Sequence, residues 1–396
     1  MKIGKGGQGG EIFAEYNKTM RINKIKLQNF RNYHDFQAEF HPDRNIITGE
    51  NAQGKTNLLE SILCLSRGQS PRAKTTKDLI NFHNINNLSA NITGDIISRE
   101  RDFHIELNYY RNRRREISIN RVTAKNNTAL SEILKTVSFR PEDLDLIRAG
   151  ASVRRRFLDN ILCQLRPAYA AHLSQYQRAL DQKSKILRDE KQNQNPAFLS
   201  VLPEFNFQIA RHGASLIRYR SKIIKKLNEY AAIFHADCSG GRENLNIIYK
   251  TSSSVPDPDA PLDQIAESLY QHLLSLTPAE RAAKSCLSGP HKDDFLIYIN
   301  QLDAKLYASQ GQARTAALAL KLAERALYYN LTGEYPVLLL DDVLSELDPK
   351  RREFILSRIT TGQVFITCCE NPKDIPYFDF NQTPGNIYHI RNGELL

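Results

Sequence analysis

The stretch Gly49-Glu50-Asn51-Ala52-Gln53-Gly54-Lys55-Thr56 limits what this chain can become more than any other. It meets every fixed position of the phosphate-binding pattern G-x-x-x-x-G-K-[ST]. Ile46-Ile47-Thr48 before it is β-branched and reads as the end of a strand. After it, Leu58, Leu59, Ile62 and Leu65 fall on one helical face. Strand, glycine loop and helix therefore follow in the order that gives the pattern its meaning. Gly49 and Gly54 let backbone N–H groups approach phosphate oxygens with no Cβ in the way, and the helix N-terminus adds its partial positive charge. Lys55 supplies a point charge for the β- and γ-phosphates, and Thr56 supplies a hydroxyl ligand for Mg²⁺. Glu50, Asn51, Ala52 and Gln53 complete the cradle.

A chain of 396 residues has room for two or three domains. No apolar run reaches membrane-spanning length and no hydrophobic segment opens the chain, so a soluble protein of the cytoplasm is expected, with no membrane partner. The six cysteines are scattered or adjacent (Cys368-Cys369) and form no C-x-x-C pair. They read as free thiols in a reducing compartment rather than as a zinc site. The net charge of +10 suits a polyanionic partner.

Residues 1–19 are glycine-rich and read as a tail or a misassigned start, with the fold beginning near Met20. Strands are expected at 88–97, 102–110 and 116–119, forming an antiparallel meander. Arg111, Arg113, Arg114 and Arg115 crowd one turn of it and are candidates for phosphate contact. Residues 129–165 read as helical with a break at 139–144, and carry Arg154 and Arg155. From 166 to 285 the composition shifts to long polar helices. Leu173, Tyr176, Leu180 and Leu187 form one stripe, Leu216, Ile223, Leu227 and Tyr230 another, and 183–194 is a polar tip. The final third alternates strand and helix. A strand at 295–299, a long helix over 308–327, and apolar strands at 335–340 and 363–367 are expected to join residues 44–65 in an α/β sheet.

Two further motifs carry chemistry. Leu338-Leu339-Leu340-Asp341-Asp342 is an apolar strand ending in two acids. Beside a phosphate loop, the first acid is suited to Mg²⁺ and the second to positioning or deprotonating the attacking water. Ser309-Gln310-Gly311-Gln312 opens a helix, and Ser345-Glu346-Leu347-Asp348 follows the acidic strand. These resemble the signature motif and the aspartate loop of the ATP-binding-cassette ATPases.

The ordered series 25–33, 49–57, 139–143, 154–159, 289–294, 309–312 and 338–348 resembles the RecF family of bacterial DNA replication and repair proteins. That resemblance implies an α/β fold: an ABC-type phosphate-loop ATPase head with an antiparallel meander and an inserted, mainly helical subdomain. The head would comprise 20–165 and 286–396, with the insert at 166–285. It implies ATP-dependent homodimers. Residues 49–56 would grip ATP and Mg²⁺ in cis, and Ser309 with Gly311 would meet the γ-phosphate in trans, flanked by Gln310 and Gln312. Asp348 would act across the same interface. Lys55, Asp341 and Asp342 would be catalytic, with Thr56 and Asp341 on the metal, and turnover would be slow. The DNA partner would be single-stranded or gapped, and the protein partners recombination mediators of RecO and RecR type, in gap repair and SOS induction.

Two positions depart from the cassette pattern. Asp342 stands where many members have Glu, and Cys368-Cys369 stand where a switch histidine is usual. His291 and Glu142 are the alternatives for that role. A chromosome-organising ATPase is the second reading, and a small-molecule kinase or GTPase the third. The chain has no Asn-Lys-x-Asp guanine reader.

Overall fold

The structure, a computed structural model of the chain, describes residues 20–81, 88–193, 200–251, 255–369 and 384–396. The leader at 1–19 lies outside the described residues. Two compact units form: Met1–Asp143 with Glu324–Leu396, and Leu144–Ala323.

The first unit opens with the hairpin β1 (Arg21–Phe30) and β2 (Tyr33–Glu39). β3 (Arg44–Thr48), buried throughout, then feeds the glycine loop and α1 (Lys55–Arg67). β4 (Ser89–Ser98), β5 (Arg101–Tyr110), β6 (Glu116–Ile119) and β7 (Val122–Thr123) complete an antiparallel sheet of order β2-β1-β4-β5-β6-β7. Period-2 alternation puts Ala90, Ile92 and Ile96 of β4 on the core face, where they share one cluster with Leu58, Leu59, Ile62 and Leu65 of α1. Gly94 permits the closest approach; a Cβ there would stand 2.7 Å from Leu65 Cδ1.

Next come α2 (Thr128–Ile133) and β8 (Thr136–Phe139). The sequence reading had 129–165 helical with a break, but 136–139 is a strand. Its four residues are too few to show a period, and its conformation is set by pairing with a distant strand, Val137 opposite Leu338 and Phe139 opposite Leu340.

The second unit contains α3 (Ala151–Leu165), α4 (Pro167–Asn193), α5 (Leu202–Ser239), β9 (Leu245–Lys250) and α6 (Leu262–Ala283). β10 (Asp294–Ile299), β11 (Leu302–Asp303) and α7 (Ala304–Tyr307) follow, and α8 (Gln310–Thr332) begins in it. Tyr176, Leu180, Leu187, Leu216, Ile223 and Leu227 are buried, as helical stripes should be. Two expectations are corrected. β10 does not join the parallel sheet; it pairs antiparallel with β9 in a three-stranded sheet of order β11-β10-β9. Lys183 is not part of a polar tip. It is fully buried, 2.5 Å from Glu280 Oε2, and Glu280 Oε1 accepts from Leu287 N at 2.9 Å. A buried lysine is tolerated only with such a partner.

Returning to the first unit, β12 (Val337–Asp341), α9 (Pro349–Arg358), β13 (Val364–Cys368), β14 (Gly385–Arg391) and β15 (Glu394–Leu395) finish the chain. They build the sheet β15-β14-β3-β13-β12-β8, parallel from β14 to β8. β3, β12 and β13 are buried at every position, which explains the apolar runs Val337–Leu340 and Val364–Ile366. The carboxyl ends of β3, β13, β12 and β8 therefore face one edge, the edge where α/β sheets place ligands. No helix among the described residues is long and apolar enough to cross a membrane.

Candidate functional site

The glycine loop leaves β3 with backbone angles that side chains oppose: φ is 146° at Gly49 and 119° at Gly54. At Gly49 a Cβ would lie 2.3 Å from the carbonyl oxygen of Ile390 on β14. The loop is braced from both sides. Asn32 Nδ2 donates to Gln53 O at 2.9 Å and Tyr33 OH donates to Gly54 O at 3.0 Å. From the other side, Gly393 N donates to Gln53 O at 3.0 Å and Asn392 N to Gln53 Oε1 at 2.6 Å. Asn32 and Tyr33 lie in the 25–33 segment, but the sequence alone offered no reason to place them at the loop. Burial of the Tyr33 phenol raises its pKa and keeps it a neutral donor.

Lys55 is buried, and its Nζ donates to the carbonyls of Gly49 at 2.5 Å and Glu50 at 2.8 Å. The ammonium thus sits inside the ring of loop backbone, where a phosphate oxygen would meet it. Cys369, at the end of β13, stands in the place considered for a histidine. Its Sγ is 3.4 Å from Lys55 Nζ and 3.0 Å from Asn51 Oδ1.

The acids occupy the same edge. Thr56 Oγ1 donates to Asp341 Oδ1 at 2.9 Å, and Thr367 Oγ1 donates to the same oxygen at 3.0 Å. Burial raises the Asp341 carboxyl pKa, opposed by those hydroxyls and by Arg72 and Arg140. A partly desolvated carboxylate beside a hydroxyl is a hard-oxygen donor pair that fits Mg²⁺, which takes one or two carboxylates and fills the rest of its octahedron with water and phosphate. Among the described residues no group of three or more acids, histidines or cysteines forms a protein-only cage. Asp342 follows in the left-handed region, φ 54°, and its N–H donates to Thr367 Oγ1 at 2.9 Å. Ser345 Oγ donates to Asp342 O at 2.6 Å.

Behind α1 lies a buried ion pair that the sequence did not reveal. Glu60, 1% exposed, takes a two-pronged contact from Arg31 (Nε 2.9 Å, Nη2 2.7 Å), with Ser70 Oγ also donating. Arg72 Nη1 approaches Glu60 to 3.8 Å, so the arginine that lowers the Asp341 pKa is itself anchored.

The signature lies in the second unit. Ser309 and Gln310 are exposed at the start of α8. Ser309 Oγ accepts from Gln312 N at 3.1 Å, and Gln312 Oε1 accepts from Ser309 N at 2.9 Å, a reciprocal capping box. Asp348 caps α9 by accepting from Arg351 N at 3.1 Å, and its carboxylate pairs with the Arg351 side chain. Burial works to raise the Asp348 pKa, but Arg351 outweighs it and holds it below the usual carboxylate range.

The arginine candidates sort clearly. Arg113 lies 3.7 Å over the Tyr110 ring and pairs with Glu116 at 3.1 Å, Arg114 is exposed, and Arg115 Nη2 donates to Asn127 Oδ1 at 2.6 Å. Arg111 is half-buried. Arg154 is withdrawn as a DNA contact. It is 4% exposed, its Nε and Nη2 each bond Asp294 at 2.7 Å, and its Nη1 donates to Ala149 O at 2.6 Å. Arg155 is half-buried, with Nη1 donating to Asp293 O at 2.7 Å. His291 belongs to the interior of the second unit: its Nδ1 is 2.6 Å from Tyr176 OH, and burial pulls its pKa down to about 4. Glu142 is exposed, 3.9 Å from Arg140.

Residues 21–374 match the RecF/RecN/SMC N terminal domain family. The DNA replication and repair protein RecF of Alkaliphilus oremlandii is 38% identical over 378 residues, 95% of this chain and 100% of that protein. The protein of the same description from Acetivibrio thermocellus is 38% identical over 351 residues, 89% and 94% of the two chains. A solved structure of the recombination mediator protein RecF with ATP in the RecFOR pathway superposes with a TM-score of 0.86 at 34% identity, covering 96% of this chain and 98% of that one. The Smc head domain of Pyrococcus furiosus, TM-score 0.53 at 15% identity over 95% of each chain, shares the fold.

Proposed function

The chain belongs to the RecF family, and from that premise we propose that it is an ATP-dependent DNA-binding protein of DNA replication and repair. One observation carries the nucleotide reading. The hydroxyl of Thr56 and the carboxylate of Asp341, 285 positions apart, meet at 2.9 Å beside a lysine held in a ring of loop carbonyls. Thr56 and Asp341 would hold Mg²⁺, which supplies charge neutralisation at the β- and γ-phosphates. Gly49 to Thr56 grip the phosphates with backbone N–H groups and the Lys55 ammonium. Asp342 accepts the proton of the attacking water, and its arm, one methylene shorter than that of glutamate, gives slow, DNA-stimulated turnover.

The signature completes the reading in trans. Ser309 and Gly311 of one copy stand at a helix N-terminus suited to an anion and meet the γ-phosphate held by a second copy, with Asp348 at the same interface. ATP therefore bridges two copies, and hydrolysis releases them from single-stranded or gapped DNA in the cytoplasm. Arg111, Arg113, Arg114 and Arg115 are the phosphate contacts, with Arg155 secondary. Recombination-mediator proteins of RecO and RecR type are the partners, in recombinase loading and SOS induction.

Solution mass with and without ATP and Mg²⁺, plus gapped duplex, tests this for the wild type, Ser309→Arg and Lys55→Met. Dimers in the wild type alone, with DNA bound, are expected. A monomer under every condition removes the bridge.

A further inference from the structure

The capping box at the signature closes on an amide at its N3 position, Gln312, rather than on a carboxylate. Gln312 presents either its oxygen or its NH₂ to Ser309 N, and only the oxygen makes the bond. Something must fix that choice. Gln312 Nε2 lies 3.0 Å from Glu243 Oε1, a contact reaching back 69 positions to the turn between α5 and β9. An ionised carboxylate only accepts, so Glu243 holds the NH₂ on its side and turns Oε1 toward Ser309 N, 2.9 Å away.

Glu243 is itself held. Its Oε2 lies 3.0 Å from Nε2 of His235, a side chain of α5 with no exposed surface. Its backbone N donates to Ser239 Oγ at 3.3 Å. Next to it, Asn244 N donates to Asn300 Oδ1 at 2.8 Å and Asn300 N returns a bond to Asn244 O at 2.9 Å, which pins the turn to the β10–β11 hairpin. The polarity then runs one way. Gln312 Nε2–H gives to Glu243, and Gln312 N–H gives to Ser309 Oγ at 3.1 Å. A serine oxygen that accepts from inside keeps its own proton for a partner outside, and among the described residues no acceptor takes it.

We propose that Glu243, backed by His235, is a positioning residue that sets the hydrogen-bond polarity of the signature, so that the exposed Ser309 hydroxyl donates to an anionic oxygen on a second copy's nucleotide. The inference rests on the trans role of Ser309 proposed above. Glu243 touches no nucleotide; it acts through Gln312.

Two variants and three measurements test it. Glu243→Ala removes the acceptor. Glu243→Gln keeps an acceptor oxygen for Gln312 and offers its NH₂ to the other tautomer of His235. The measurements are ATP-dependent dimerisation against protein concentration, ATP affinity of the monomer, and amide hydrogen exchange across 309–312. Losing one charge-assisted hydrogen bond should weaken the Glu243→Ala dimer about tenfold. Exchange at 309–312 should quicken, monomer ATP affinity should hold, and Glu243→Gln should restore both dimer and exchange. A merely structural residue would lower monomer ATP affinity and melting temperature together and would not be rescued.

Wild-type dimerisation or wild-type exchange in Glu243→Ala overturns the proposal. If the wild type itself forms no ATP-dependent dimer, the two-copy reading falls. Exchange then decides alone: faster exchange in Glu243→Ala keeps Glu243 as the organiser of the signature, and unchanged exchange removes that role too.

Discussion

The phosphate loop and the signature each stand at a helix N-terminus, yet they are held by different means. The loop is shaped by its own backbone, through positive φ at Gly49 and Gly54, and its carbonyls at Gln53 and Gly54 are the groups that the neighbouring Asn32, Tyr33 and Gly393 brace. The signature is held by side chains, from Ser309 through Gln312 and Glu243 to His235. A backbone cradle forbids most residues at fixed nearby positions, so it leaves a pattern in eight consecutive letters. A side-chain relay can be assembled from any part of the chain, so it leaves no local pattern. The unit carrying the signature follows the same habit elsewhere: Arg220 is buried with Nε on Tyr169 OH at 3.0 Å, Nη1 on Pro290 O at 2.6 Å and Nη2 on Asp159 at 2.8 Å.

The contrast can be broken hardest at Lys183. Lys183→Ala leaves Glu280 as an uncompensated buried charge and should cost about 3–5 kcal/mol, read by urea unfolding of the whole chain. The double change Lys183→Met with Glu280→Leu should return most of that loss. If the single change is nearly silent, side-chain pairing does not organise this unit. On the loop side, Gly49→Ala drives a Cβ against the Ile390 carbonyl and should cost about 3 kcal/mol and abolish ATP binding.

Acid should separate the two regions. His291 is neutral in the fold, with a pKa near 4 against an ordinary 6.5. Between those values the unfolded chain binds the extra proton, so stability is intact above pH 6.5 and declines toward pH 4, by up to about 3 kcal/mol. His291→Gln should flatten that decline. Asp341 works with the opposite sign. Its raised pKa means the fold holds the extra proton, so its contribution improves as pH falls through the folded value. Asp341→Asn should therefore raise the melting temperature while removing Mg²⁺-dependent hydrolysis. Smaller again, Ser309→Ala removes a helix cap, about 1 kcal/mol of stability, and should leave monomer ATP binding unchanged. Smallest, Arg114→Ala should leave stability within about 0.5 kcal/mol and lower the salt slope of DNA binding by about one.

What the letters allowed follows from the same distinction. The loop, α1, the meander and the buried strands β12 and β13 carried their own periodicity. β8 did not, because four residues become a strand only when β12 lies beside them. Lys183 and Arg154 looked solvent-facing because a charge in a sequence shows no partner; Glu280 and Asp294 supply those partners from 97 and 140 positions away. Glu243 and His235 sit in stretches with no motif at all, and only the fold brings them to Gln312.

The brace on Gln53 has a consequence in time. Asn392, 339 positions after it, supplies one of the donors that fix the loop, and Gly393 supplies another. A ribosome adding roughly 5–20 residues per second needs about 20–70 s to bridge that interval. During synthesis only the brace from Asn32 and Tyr33, which precede the loop, is available for most of that interval. The second brace forms only once β14 and β15 have emerged, so the loop takes its full set of bonds late in synthesis.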